Sequence, residues 1–278
     1  MSEAFAEGAS GAAAADGAAG APFPHMRALV PQASGLLDLD EVRACYLPAD
    51  RSEFCLRVNF IESLDGAASV QGLSGALGRP ADKVVFDTLR GVADVVLAGA
   101  GTARAEGYGA LTTPPAHREW RRASGLPAHP VMALVSGRLD LDPASALFAE
   151  APVRPLVFTT ADAAPDARAR LSEVADVMDA GTGRVDPALV VRELAARGLT
   201  QVLCEGGPTL FADVIAADLV DEFCLTLSPM LEGGTGPRIA TAGDGRAGPP
   251  RDLELAHLLI AGSMLLSRWV RPSSDAAR

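Results

Sequence analysis

The sequence predicts an α/β protein: one mixed, mainly parallel sheet with helices on both faces and an antiparallel hairpin near its C-terminal end. Two patterns predict it. Between Phe54 and Ala217, apolar strand-like runs alternate with helical segments, the order that builds parallel strands joined by crossover helices. After Ala217 the alternation stops. Phe223–Leu227, Leu253–Ile260 and Met264–Arg271 follow with no helix between them, and the last two, joined near Ala261-Gly262-Ser263, predict a hairpin. A third observation bears on function: two strands run straight into glycine-rich turns, Gly99-Ala100-Gly101-Thr102 and Glu205-Gly206-Gly207-Pro208-Thr209-Leu210.

Each element has a local reason. Residues 38–46 predict a short helix with Asp38 or Asp40 as N-cap. The strand over Phe54–Ile61 has one apolar and one partly polar face, and a turn follows at Ser63-Leu64-Asp65-Gly66. Pro80 suits the first turn of a helix running to about Arg90, and Val95–Ala98 is the strand that enters the first glycine turn. Residues 107–129, with a Pro-Pro pair, Arg118, Trp120, Arg121 and Arg122, read as a long irregular connection. Strands at Val131–Val135 and Pro155–Thr159, a helix at Asp162–Leu171 and an extended segment at Ala175–Met178 come next. A helix at Pro187–Arg197 stops at Gly198. The strand Gln201–Cys204, the second glycine turn and a helix from about Thr209 to Ala217 complete the alternation.

Composition excludes several classes. Residues 1–25 are an Ala/Gly-rich tail that cannot bury enough apolar surface to offset its ordering entropy, so disorder is expected there. That tail has no basic n-region and no continuous apolar h-region, unlike a signal peptide. A single domain over 26–271 is expected, its motifs lying between 54 and 271, with a short tail at 272–278. No run approaches the length of a membrane-spanning helix, so a cytoplasmic protein is expected. The net charge of −11 argues against a nucleic-acid partner, which needs a basic face, but allows a small phosphorylated ligand. Lys83 is the only lysine, so a phosphate clamp would use arginine or backbone N–H groups. Cys45, Cys55, Cys204 and Cys224 and the four histidines lack ligand spacing. No metal site is expected, and the cysteines read as small buried hydrophobes.

The residues that could carry chemistry gather at strand ends. The glycines of Gly99-Ala100-Gly101-Thr102 let bare backbone approach a phosphate, and Thr102 can donate to an oxygen. The spacing is not that of a Rossmann fingerprint, because Ala103 and Arg104 occupy the region of the third glycine. The Glu205–Leu210 turn places a carboxylate at a strand end, then two glycines, then proline at a helix start. N–H donors and the positive end of a helix dipole then surround one point, which suits a pyrophosphate. Asn59, Ser63 and Asp65 lie at the end of another strand. Asp65 is either a turn former or an acid that orients or protonates a substrate. The other two motifs also have structural readings, as a tight strand-to-helix turn and as a favourable charge at a helix start.

Taken in order, Asn59-Phe60-Ile61-Glu62-Ser63-Leu64-Asp65-Gly66, Gly99-Ala100-Gly101-Thr102-Ala103-Arg104-Ala105-Glu106 and Glu205-Gly206-Gly207-Pro208-Thr209-Leu210 resemble the riboflavin-biosynthesis pyrimidine reductase family over roughly residues 54–271. The resemblance implies a dihydrofolate-reductase-like, three-layer α/β/α fold and a homodimer. It implies an NADPH-dependent oxidoreductase that reduces the ribose of a phosphoribosylamino-pyrimidine to ribitol, with hydride passing to an imine-type carbon. For the cofactor it implies Thr102, Glu106, Ser136, Gly206, Gly207, Thr209 and Leu210, alongside Gly99 and Gly101 of the first turn. For the substrate it implies Ser74 and Gly75, to which Asn59, Ser63 and Leu111 are added. Asp65 and Glu205 are the expected catalytic carboxylates, Asp65 first. Replacing Asp65 by Asn is then expected to lower turnover far more than cofactor affinity.

The chain departs from the family pattern in two places. No Pro-Cys-x-x-Cys of the zinc deaminase often fused to this reductase occurs, so a stand-alone reductase is expected. Biosynthetic members commonly read Asp-Asp-Pro-x-Leu-Thr-x-Arg after the Gly-Thr turn. Here the chain reads Glu106-Gly107-Tyr108-Gly109-Ala110-Leu111-Thr112-Thr113, without the arginine that would help hold a substrate phosphate. Arg118, Arg121 and Arg122 are the nearby candidates to replace it. Two alternatives accompany the main reading: a dihydrofolate or pterin reductase, and a non-catalytic NADPH-binding protein.

Overall fold

The computed structural model describes residues 22–243 and 248–272. The expected tails at 1–25 and 272–278 fall mostly outside the described residues. Chain order runs β1 (Met26–Val30), α1 (Leu39–Tyr46), β2 (Cys55–Ser63), α2 (Pro80–Val92), β3 (Val95–Gly99), α3 (Ala100–Ala105), α4 (Pro115–Ala123) and β4 (Val131–Val135). It continues through α5 (Ala146–Ala149), β5 (Leu156–Thr159), α6 (Pro165–Ser172), β6 (Asp176–Asp179), α7 (Pro187–Ala196), β7 (Gln201–Cys204) and α8 (Pro208–Ala216). The last strands are β8 (Glu222–Ser228), β9 (Glu254–Ala261) and β10 (Met264–Val270).

All ten strands join one sheet in the order β1-β9-β10-β8-β2-β7-β3-β4-β5-β6. From β8 to β6 the neighbours are parallel. The strand β10 runs antiparallel to both β8 and β9, and β9 to β1. The mixed, mainly parallel sheet with a C-terminal hairpin is therefore as expected. Side-chain alternation on β3 makes the three layers. Val96 and Ala98 pack into one core with Val42 and Tyr46 of α1, Val85 and Leu89 of α2 and Leu171 of α6. Val95 and Leu97 pack into the other with Val190 and Leu194 of α7 and Phe211 and Val214 of α8. A strand apolar at every position can serve two helix layers because successive side chains point to opposite faces.

Capping explains the first helix. Asp38 accepts from the Glu41 amide while Glu41 accepts from the Asp38 amide, a reciprocal capping box. The structure corrects the irregular reading of 107–129, where α4 forms. Pro115 sits in its first turn, but its buried face is His117 and Arg121 rather than apolar residues, so hydrophobic periodicity is absent. Arg121 Nε donates to Pro127 O at 2.6 Å and Nη1 to Gly91 O at 3.0 Å. The helix docks closely: a Cβ on Gly91 would lie 2.8 Å from His117 Nδ1. The edge strand β1 was also not foreseen. Its partner β9 lies at the far end of the chain, and five residues carry too little pattern to announce such a pairing.

The four cysteines are unbonded thiols, with Cys204 and Cys224 buried and the other two half-buried. Burial raises the thiols of Cys55, Cys204 and Cys224 to about 12, which keeps them protonated and unreactive. Among the described residues, no helix is long and apolar enough to cross a membrane.

Candidate active site

The two glycine turns meet. The strands β3 and β7 are parallel neighbours, so their carboxyl ends, and the turns that follow, lie side by side. Gly99 N donates to Gly206 O at 2.7 Å, and Glu205 N to Leu97 O at 2.9 Å. The Gly206–Gly207 peptide is cis. Neither glycine tolerates a side chain. A Cβ on Gly207 would lie 2.2 Å from Thr102 Oγ1, and one on Gly206, at φ +80°, 2.5 Å from Phe60 Cζ. Both glycines are buried, and they lie directly before the start of α8, whose first-turn N–H groups have no helical partner.

These turns form one end of a cleft of about 460 Å³ at the carboxyl edge of the sheet, within the usual range of small-ligand sites. Gly99, Gly101, Thr102, Gly207, Thr209 and Leu210 line it, all of them expected cofactor residues. Ser136 is buried and donates its amide to Phe158 O at 2.9 Å, and its neighbour Gly137 reaches the wall. Glu106 lies elsewhere in the network: its carboxylate accepts from Ser74 N at 2.9 Å, so it holds the Ser74–Ala76 turn.

The expected catalytic carboxylates occupy unlike settings. Glu205 is buried and already engaged. Arg90 Nε and Nη2 grip its two oxygens at 2.6 and 2.7 Å, and Tyr108 Oη donates to Oε2 at 2.7 Å. Burial alone would lower Arg90, but the facing Glu205 carboxylate outweighs it and the net shift is upward. Burial, then the Glu205 charge, pushes the Tyr108 phenol well above the tyrosine range. Asp65 is exposed. It accepts from the Ser63 hydroxyl, from Glu232 N at 3.1 Å and from Gly233 N at 2.8 Å. The Ser63 hydroxyl first, then these amides, lower its carboxyl to about 2. An acid held this firmly ionised ties two loops together and is a poor proton donor at neutral pH.

Among the expected substrate residues, Asn59 is half-buried on β2, and Gly75 is exposed in the Ser74–Ala76 turn. Ser63 is buried, donating to Asp65 and accepting from Ala67 N at 2.9 Å. Leu111 is buried in the core. Arg121 does not reach the substrate side, because the carbonyls it binds, of Gly91, Ala93 and Pro127, precede β3 and β4 at the opposite, amino edge of the sheet. Sequence reasoning missed Arg90, Tyr108, Arg184, Asp213 and the apolar wall of α7. A signal existed for Arg184. Gly181-Thr182-Gly183-Arg184 lies between a strand and a proline-initiated helix, the same strand–glycine turn–helix design as the other two.

Two glycine turns on adjoining strand ends, beside a buried carboxylate–arginine–tyrosine network, define an α/β protein with a small-ligand cleft at the carboxyl edge of its sheet, outside the Rossmann class. The sequence model of the RibD C-terminal domain matches residues 55–265, and the chain belongs to that family. The resemblance read from the three motifs is thereby met.

A 2,5-diamino-6-ribosylamino-4(3H)-pyrimidinone 5′-phosphate reductase of Archaeoglobus fulgidus is 28% identical over 178 residues, 64% of this chain and 81% of that protein. The crystal structure of a pyrimidine reductase-like protein from Corynebacterium diphtheriae is 26% identical. It covers 86% of this chain and 100% of its own, with a TM-score of 0.78. The riboflavin biosynthesis reductase of Saccharomyces cerevisiae shares the fold at 17% identity, covering 84% of this chain and 99% of its own with a TM-score of 0.60.

Proposed function

We propose that this chain is an NADPH-dependent reductase of a phosphoribosylamino-pyrimidine, the substrate class named for its Archaeoglobus relative. The observation that carries the reading is the hydrogen-bonded pair of glycine turns at one end of the cleft. The fit to a dinucleotide rests on the cradle itself, where any Cβ on Gly207 would close against Thr102. Backbone groups there and the N-terminal turn of α8 would hold the pyrophosphate. The apolar wall of α7 would take a base. When bound, the reduced nicotinamide would supply a hydride to an imine-type carbon of the opened sugar, the nitrogen taking its proton from solvent.

The chain's own residues supply positioning. Arg90 and Tyr108 fix Glu205 at the end of β7, immediately before the cradle, so Glu205 acts as a positioning residue. Asp65 holds the loop after β2 against residues 232–233, which shapes the substrate side. The reading includes a homodimer. Its support is the face of β8 and β10 where Leu225, Leu227 and Leu265 alternate with buried neighbours and stay half-exposed.

The test follows reduced-nicotinamide absorbance with the purified chain, its mass checked by sedimentation. Oxidation of NADPH by the phosphoribosylamino-pyrimidine, and not by dihydrofolate, is expected. Turnover of dihydrofolate alone would make it a pterin reductase. Tight NADPH binding with neither substrate reduced would make it a binding protein.

A further inference from the structure

We infer that Arg184 is the residue that recognises the 2′-phosphate of the dinucleotide, with Asp213 as its counter-ion while that phosphate is absent. The inference rests on the cofactor reading of the cleft and assigns the specificity of its far end. Where the glycine turns line the near end, they offer backbone and the Thr102 and Thr209 side chains but no side-chain charge. Away from them, Val185, Pro187, Val190 and Val191 make an apolar wall, suited to a flat base. Of the residues that line the cleft, only Arg184 and Asp213 are charged.

These two form an ion pair across the mouth, between the loop after β6 and the helix α8. Arg184 Nη2 lies 2.6 Å from Asp213 Oδ1, with the side chains 41% and 23% exposed. A pair this exposed is weak. A dianionic phosphate, with three acceptor oxygens, competes well for a guanidinium fork. The loop backbone itself is anchored, since Gly183 N donates to Asp162 Oδ1 at 2.9 Å. Exchange of Asp213 for phosphate therefore needs only the arginine side chain to turn.

Specificity follows as a difference. A cofactor with a free 2′-hydroxyl offers no charge to Arg184 and leaves it with Asp213. A 2′-phosphate gains the arginine and is repelled by Asp213, so the two side chains act in opposite senses on the two cofactors. Arg138 is the rival cation. It follows the wall residue Gly137, is exposed, and has no ion-pair partner among the described residues, but it is not part of the wall.

The test is calorimetric titration of the purified chain with 2′,5′-ADP and with 5′-AMP, which differ only in the 2′-phosphate and need no substrate. The wild type is expected to prefer 2′,5′-ADP by about tenfold or more, the size of one charge-assisted hydrogen bond. Arg184→Gln should abolish that preference while leaving 5′-AMP binding and the melting temperature unchanged. Asp213→Asn should strengthen 2′,5′-ADP binding, and Arg138→Gln should leave the preference intact. Retention of the preference in Arg184→Gln, or its loss in Arg138→Gln, overturns the assignment. A wild type that binds both nucleotides equally also overturns it while sparing the cleft, whereas one that binds neither removes the cofactor reading itself.

Discussion

At the scale of single residues, the chemistry of a carboxylate is set by what already touches it. Asp65 and Glu205 look alike in the sequence, each an acid beside glycine at a strand end. Asp65 accepts three hydrogen bonds at the surface, and Glu205 is gripped by a guanidinium and a phenol in the interior. The first setting sharpens a prediction. The carboxyl of Asp65 is lowered to about 2, so the stability it lends the 63–67 and 232–233 loops is fully present above its ordinary value near 4. It is lost only as pH falls through about 2. Asp65→Asn should therefore leave the pH–rate profile between pH 5 and 9 unchanged in shape and raise KM for the substrate by loosening the loop. A vanished acidic or basic limb in that variant would restore Asp65 as the proton donor.

At the scale of elements, the cradle depends on two turns that exclude side chains from one another. Thr102 stands where a Cβ on Gly207 would be. Gly207→Ala must push the turns apart, an overpacking cost of about 1–3 kcal/mol that falls on the bonded pair Gly99–Gly206. The expected outcome is at least a tenfold rise in the NADPH dissociation constant, read by fluorescence titration. Thr102→Ala in the same chain should recover part of it by opening space. Unchanged affinity in Gly207→Ala would show that the cofactor does not use this turn. The helix α4 teaches the converse lesson about elements: its inward face is polar because Arg121 satisfies carbonyls at the end of α2.

At the scale of the whole molecule, burial of neutral histidines links stability to pH. His117 and His257 are 4% and 5% exposed. Burial first, and then Arg43 beside His117 and Arg268 and Arg57 beside His257, lower both to about 4 from 6.5. Between those values the unfolded chain binds more protons than the folded one, so stability rises with pH. It is full above about 6.5 and declines as pH falls towards 4, by as much as about 3 kcal/mol for each histidine. Urea denaturation at pH 7 and pH 5 should show this loss, and His257→Phe should shrink it. Equal stability at the two pH values would mean that neither histidine is held neutral.

The sequence by itself determined the alternation of strands and helices, the terminal hairpin, and the three motifs that carry the family resemblance. Those features are local: an apolar run, a proline at a helix start, glycines at a strand end. The tertiary structure alone decided which strand ends touch. The residues of β3 and β7 are about 100 apart in the chain, and only parallel pairing of the two strands puts Gly99 against Gly206. Likewise β1 exists because β9 supplies its hydrogen bonds. Arg90 finds Glu205, and Arg184 finds Asp213, through a fold in which helices from different parts of the chain meet one sheet edge. Period and turn chemistry act within a few residues and are legible in order. Charge pairing and close backbone approach act across the packed sheet, so they become visible only when the layers are in place.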